Sequence, residues 1–197
     1  MYSPGSMGQA LPRIDRSIVL VGLMGVGKST VGRRLAKRLG LEFVDSDEEI
    51  ERAADHSVSE IFDRFGEASF RDGERRVIAR LIGGPPKVIA TGGGAFINDD
   101  TRRLILDRCI AIWLDADLDT LAERVSRREG RPLLKNKEPR PILQELSLRR
   151  NPIYAEAHLH VRSEPAPHER AVDAIVQSLA DRFAGPDQAQ GAHPERH

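Results

Sequence analysis

The chain has 197 residues, enough for one α/β domain with a full core rather than two domains. Its 30 basic and 30 acidic side chains cancel, so the overall charge points to neither a nucleic-acid nor a membrane-surface partner. No apolar run reaches the roughly 20 residues of a membrane helix, the first residues lack a secretory pattern, and Cys109 is the only cysteine, which excludes an internal disulfide and fits a cytoplasmic setting.

Residues 1–16 carry Pro4, Gly5, Gly8 and Pro12 with little periodicity and read as a flexible extension. A strand over Ser17–Val21 then runs into Gly22-Leu23-Met24-Gly25-Val26-Gly27-Lys28-Ser29-Thr30, the G-x-x-x-x-G-K-[ST] spacing of a phosphate-binding loop. The glycines let backbone N–H groups face phosphate oxygens, and the helix Lys28–Leu39 adds its positive end. Gly25, Val26, Gly27, Lys28, Ser29 and Thr30 are therefore expected to hold a nucleoside triphosphate, with Lys28 on its outer phosphates and the Ser29 hydroxyl on Mg²⁺.

A second strand, Glu42–Val44, leads to Asp45-Ser46-Asp47. Read as extended chain, this segment turns both carboxylates to one side, one for the metal's water shell and one to accept a proton from an attacking hydroxyl. The plainer alternative makes Asp47 the N-cap of a helix over Asp47–Ala54. Ser57 and Glu60 form a capping box at the head of a long helix, Val58–Leu81, in which Arg71 defaults to an exposed position. Beyond the strand Lys87–Ala90 comes Thr91-Gly92-Gly93-Gly94-Ala95, whose bare backbone suits the floor of a substrate site. A helix over Asp99–Leu106 and a strand over Cys109–Leu114 follow, with Cys109 read as a small buried hydrophobe.

Asp115, next in the chain, reads as the cap of the helix Leu118–Arg127, which leaves Asp45 as the favoured carboxylate for the metal. Residues 127–140 are basic, with Arg131 between Gly130 and Pro132, the composition of a mobile lid that brings a cation onto transferring phosphates. Asn136-Lys137-Glu138-Pro139 opens like a guanine-reading N-K-x-D signature, but Pro139 stands where the Asp is required. A helix over Pro141–Leu148 follows, and Pro152 is expected to break the helical pattern and expose Arg150 at a helix end. The strand His158–Arg162, the helix His168–Phe183 and a polar, disordered tail over 185–197 complete the chain. Strands alternating with helices imply a single-domain, three-layer α/β fold: a five-stranded parallel sheet with helices on both faces and function in the loops beyond the strands.

Taken together, these elements resemble the shikimate kinase family, small P-loop kinases of the nucleoside monophosphate kinase structural class. The resemblance rests on Gly22–Thr30, Asp45-Ser46-Asp47, Phe70-Arg71-x-x-Glu74, Gly92-Gly93-Gly94, Arg131-Pro132-Leu133-Leu134 and Arg150-Asn151-Pro152-Ile153-Tyr154, in the family's order across about residues 17–184. It implies ATP-dependent phosphorylation of the 3-hydroxyl of shikimate in aromatic amino-acid biosynthesis, with Mg²⁺. It also implies that Asp47, Arg71, Gly92, Gly93, Gly94 and Arg150 bind shikimate, and that Lys28, Asp47 and Arg131 act in catalysis. Ser29 and Asp45 would serve the metal, Arg124 would lie against the adenine, and Pro167 would stand in the adenine-side loop 163–167. A monomer without nucleic-acid or membrane partners is expected. Two other readings stay open: a gluconate or other small-molecule kinase, and a nucleotide-dependent switch that turns over slowly.

Overall fold

The computed structural model describes residues 14–127, 138–163 and 168–183. Five strands, β1 (Ile18–Val21), β2 (Glu42–Asp45), β3 (Lys87–Ala90), β4 (Ile110–Asp115) and β5 (Leu159–Arg162), form one parallel sheet in the order β2-β3-β1-β4-β5. The helices are α1 (Lys28–Leu39), α2 (Ser46–Ala54), α3 (Val58–Ile82), α4 (Asp99–Arg108), α5 (Leu118–Ser126), α6 (Pro139–Tyr154) and α7 (His168–Phe183).

Strand order fixes where the helices lie. The step from β1 to β2 runs one way across the sheet, and every later crossover runs the other way. Because such crossovers are right-handed, α1 covers one face and the helices after β2, β3 and β4 cover the other. The last helix, α7, returns beside α1. Burial follows: all four residues of β1 are at most 1 % exposed, as a strand covered on both faces requires. On the edge strand β5, Leu159 and Val161 are buried while His160 and Arg162 are exposed. Cys109 is buried as expected, and burial pushes its thiol up to about 11. No helix of the described residues is long and apolar enough to cross a membrane.

β1 and β3 are neighbours whose following helices leave toward opposite faces, which opens a crevice between their carboxyl ends. The loop Gly22–Gly27 and the glycine triplet flank that crevice.

Three local expectations are corrected. The helix around Pro152 continues to Tyr154 instead of breaking. Proline at this position removes only one late hydrogen bond, and the last turn is held by Ala155 N–H donating to Asn151 O at 2.9 Å and by the full burial of Tyr154. Asp115 does not cap α5; Asp117 does, accepting from Thr120 N–H at 2.8 Å, while Asp115 completes β4. The Ser57–Glu60 capping box is present, but α3 bends at Gly66, where φ is 78° and ψ is 168°.

Candidate active site

The chain leaves β1 through Gly22 at φ +136°, where any Cβ would collide with the carbonyl oxygen of Leu114. It enters α1 at Gly27 without a side-chain cap, leaving the first-turn amides directed at the cleft mouth. Lys28 Nζ arches over the loop, donating to Gly22 O at 2.8 Å and Leu23 O at 2.9 Å. Ser29 Oγ donates to Asp45 Oδ2 at 2.6 Å, which ties the first turn of α1 to the end of β2.

Asp45 and Asp47 do not share an extended segment, because β2 passes straight into α2. Asp45 is the N-cap, its Oδ1 accepting from Asp47 N–H at 3.0 Å, so capping falls to Asp45 and the Asp47 side chain is left for the cleft. Oδ1 of Asp47 is buried with no hydrogen-bond partner in the protein. Burial, and then the charge of Asp45, raise its carboxyl to about 6 against the pull of Lys28 and Arg71.

Arg71 is not a surface arginine. Its side chain is 24 % exposed, its guanidinium lies over Phe70 at 5.1 Å and Phe62 at 6.0 Å, and its Nη1 donates to Glu74 Oε2 at 2.7 Å. Glu74 is buried, its Oε1 has no partner, and burial raises it to about 6 although Arg71 opposes the shift. The unpartnered oxygens of Asp47 and Glu74 converge on Gly92, 2.8 and 3.0 Å from where its Cβ would stand. At Gly94 a Cβ would strike the Arg71 guanidinium. Gly92 and Gly94 are thus glycine because charged groups press on their backbone, whereas a Cβ at Gly93 would meet only ordinary contacts, and no member of the triplet needs a positive φ. From α6, Arg150 Nη1 donates to Gly93 O at 3.1 Å and the Tyr154 hydroxyl donates to the same oxygen.

The charged side chains and the glycine triplet line one cleft of about 770 Å³, with Tyr154 buried behind it. Sheet order converts sequence into position along it. Asp45, Asp47 and the glycine triplet lie over β2 and β3, the phosphate loop lies over β1, and Arg124 and His168 follow β4 and β5. Of the expected site residues, Gly25, Gly27, Lys28, Ser29, Thr30, Asp45, Asp47, Arg71, Gly92, Gly93, Gly94, Arg124 and Arg150 all line it. Val26 does not: its side chain is buried in the core, and only its carbonyl meets the site, accepting from Arg124 at 3.4 Å. Arg131, the lid over 127–140 apart from its two ends, and Pro167 lie outside the described residues. Phe70 and Glu74, present in the family motif but given no site role, line the cleft, as do Phe62 and His168, which were not singled out. For Glu74 the signal was its place one turn after Arg71 on α3.

The donor set suits a hard cation. Ser29 Oγ and Asp45 Oδ2 are adjacent oxygens beside the phosphate loop. No group of three or more His, Cys, Asp or Glu capable of an all-protein metal cage occurs among the described residues. That combination fits Mg²⁺, which keeps water and phosphate oxygens in most of its coordination sphere.

A sequence model described as shikimate kinase matches residues 24–180. A shikimate kinase from Caulobacter vibrioides is 57 % identical over 173 residues, covering 88 % of this chain and 86 % of the relative. One from Zymomonas mobilis is 57 % identical over 164 residues, covering 83 % of this chain and 93 % of the relative. Among solved structures, shikimate kinase from Acinetobacter baumannii in complex with shikimate superposes with a TM-score of 0.82 at 37 % identity, over 84 % of this chain and 93 % of that one.

Proposed function

The chain belongs to the shikimate kinase family, and on that premise we propose that it transfers the γ-phosphoryl group of ATP to the 3-hydroxyl of shikimate, giving shikimate 3-phosphate and ADP. One observation carries the reading. Two guanidinium groups, Arg71 and Arg150, share a cleft with two buried carboxylates bearing unpartnered oxygens, directly beside a phosphate loop.

Shikimate is a carboxylate with three hydroxyls, and that chemistry matches the cleft. Arg71 and Arg150 grip the carboxylate through charge-assisted hydrogen bonds, and the glycine triplet lets the ring approach the backbone. Asp47 Oδ1 accepts the proton of the attacking hydroxyl as its oxygen bonds to the γ-phosphorus and the bond to the β,γ-bridging oxygen breaks, releasing ADP. A carboxyl near pH 6 is ionised at neutral pH and still basic enough to take that proton. Lys28 meets the charge that develops on the transferring group. Ser29 and Asp45 would hold Mg²⁺, which supplies positive charge to the phosphate oxygens.

Arg124 lies against the adenine, Pro167 borders it, and Arg131 reaches the phosphates from the lid in the same reading. On that reading the work falls to a single domain over residues 17–184, acting as a monomer in the cytoplasm.

Arg71→Leu and Arg150→Leu should each weaken shikimate binding by roughly 10- to 150-fold, the loss of about 1.5–3 kcal/mol for a hydrogen bond to a charged group. ATP affinity should change little. Calorimetric titration of both ligands checks this, and loss of ATP affinity with shikimate affinity intact would assign the arginines to the nucleotide instead.

A further inference from the structure

The carbonyl oxygen of Gly93 takes two donors from one helix, Arg150 Nη1 at 3.1 Å and the Tyr154 hydroxyl. Four residues apart on α6, the two side chains occupy one helix face. Their surroundings differ. Arg150 lines the cleft, whereas Tyr154 is fully buried behind it, its ring 6.4 Å from that of Phe96 and 6.1 Å from that of Trp113. Burial pushes the Tyr154 hydroxyl up to about 12, so it remains a donor at any working pH.

A neutral carbonyl is a poorer partner for a guanidinium than a carboxylate is. An anionic substrate therefore draws Arg150 away from Gly93. With Arg150 as its only donor, Gly93 O would then be left unsatisfied in the cleft floor, and that cost would be subtracted from substrate affinity. We propose that Tyr154 is a positioning residue whose hydroxyl keeps the Gly93 carbonyl satisfied and in place, releasing Arg150 to the substrate's carboxylate. The inference rests on the carboxylate-clamp reading of Arg150 given above. It assigns a reason for a tyrosine one turn after that arginine, which packing alone would not distinguish from phenylalanine.

The test titrates shikimate and ATP into the wild-type protein, Tyr154→Phe, Arg150→Met and the double variant, with melting temperatures measured alongside. Tyr154→Phe keeps the ring and its packing. It should raise the Kd for shikimate about three- to tenfold and leave the Kd for ATP unchanged, the scale of one hydrogen bond. In the Arg150→Met background the same change should add nothing, because no arginine is left to release. Unchanged shikimate affinity in Tyr154→Phe, or an equal effect in both backgrounds, overturns the proposal and leaves Tyr154 as structural packing. If Arg150→Met itself binds shikimate as tightly as wild type, the clamp reading falls and this proposal with it. Failure of Tyr154→Phe alone leaves the clamp standing.

Discussion

Asp47→Asn should lose roughly 10²- to 10⁴-fold in turnover, the range for removing a positioned general base, and yet yield a more stable protein. Both effects come from the same burial. The Asp47 carboxyl stands at about 6 in the fold against an ordinary value of 3.8. Between those values the folded chain binds more protons than the unfolded one, so this group's contribution to stability falls as pH rises through roughly 4 to 6. Above that window an ionised, partnerless carboxylate costs up to about 3 kcal/mol, since each tenfold change in proton affinity is worth about 1.4 kcal/mol. Asparagine removes the charge. At pH 7.5 the variant should melt several degrees higher, at about 2–4 °C per kcal/mol for a domain of this size, with the gain shrinking toward pH 4. In the wild-type enzyme, kcat/KM should fall as pH drops below about 6, where Asp47 of the free enzyme takes up its proton. Scanning calorimetry at pH 4 and 7.5, with a pH–rate profile, checks all three. An Asp47→Asn enzyme of normal turnover would remove Asp47 from the proton's path.

Lys28→Met should be nearly inactive, with a loss on the order of 10²- to 10³-fold or more, because it removes a cation at the transferring phosphate. The fold should survive. Lys28 Nζ donates to the loop carbonyls Gly22 O and Leu23 O, and losing those charge-assisted bonds costs about 1.5–3 kcal/mol each, less than the roughly 5–15 kcal/mol that holds a domain folded. Circular dichroism and melting establish that the variant is folded, and single-turnover kinetics then measure transfer. Near-normal transfer would contradict the assignment of the loop.

How legible the fold and site were in the sequence depended on how local each cause was. α1 and α7 match their expected bounds because periodicity and an abrupt change of composition mark both ends. The order of strands and loops placed thirteen of the expected side chains or backbones in one cleft, since each follows a strand or sits on a helix that does. The misreadings share a different origin. Asp45 and Asp47 differ by which of them caps α2, and that depends on β2 ending one residue later than its apolar run suggests. Arg71 looked like a surface residue because periodicity does not show what covers it, Gly94 of the triplet against its guanidinium and Phe62, Phe70 and Glu74 of its own bent helix around it. Pro152 looked like a helix end because the hold on the last turn comes from Tyr154 reaching a carbonyl some 60 residues away in sequence. The short 3₁₀ turn Ala95–Ile97, after the triplet, has no periodicity to betray it.

The identity of the phosphoryl acceptor is the point on which everything else depends, and it can be followed directly. The protein is mixed with Mg²⁺, ATP and shikimate, and ³¹P NMR monitors both phosphorylated products over time, with parallel samples lacking shikimate or holding gluconate in its place. ADP and shikimate 3-phosphate should appear in equal amounts, with little ATP consumed in either parallel sample. ATP consumed equally fast without shikimate, or gluconate phosphorylated as readily, would contradict shikimate as the acceptor.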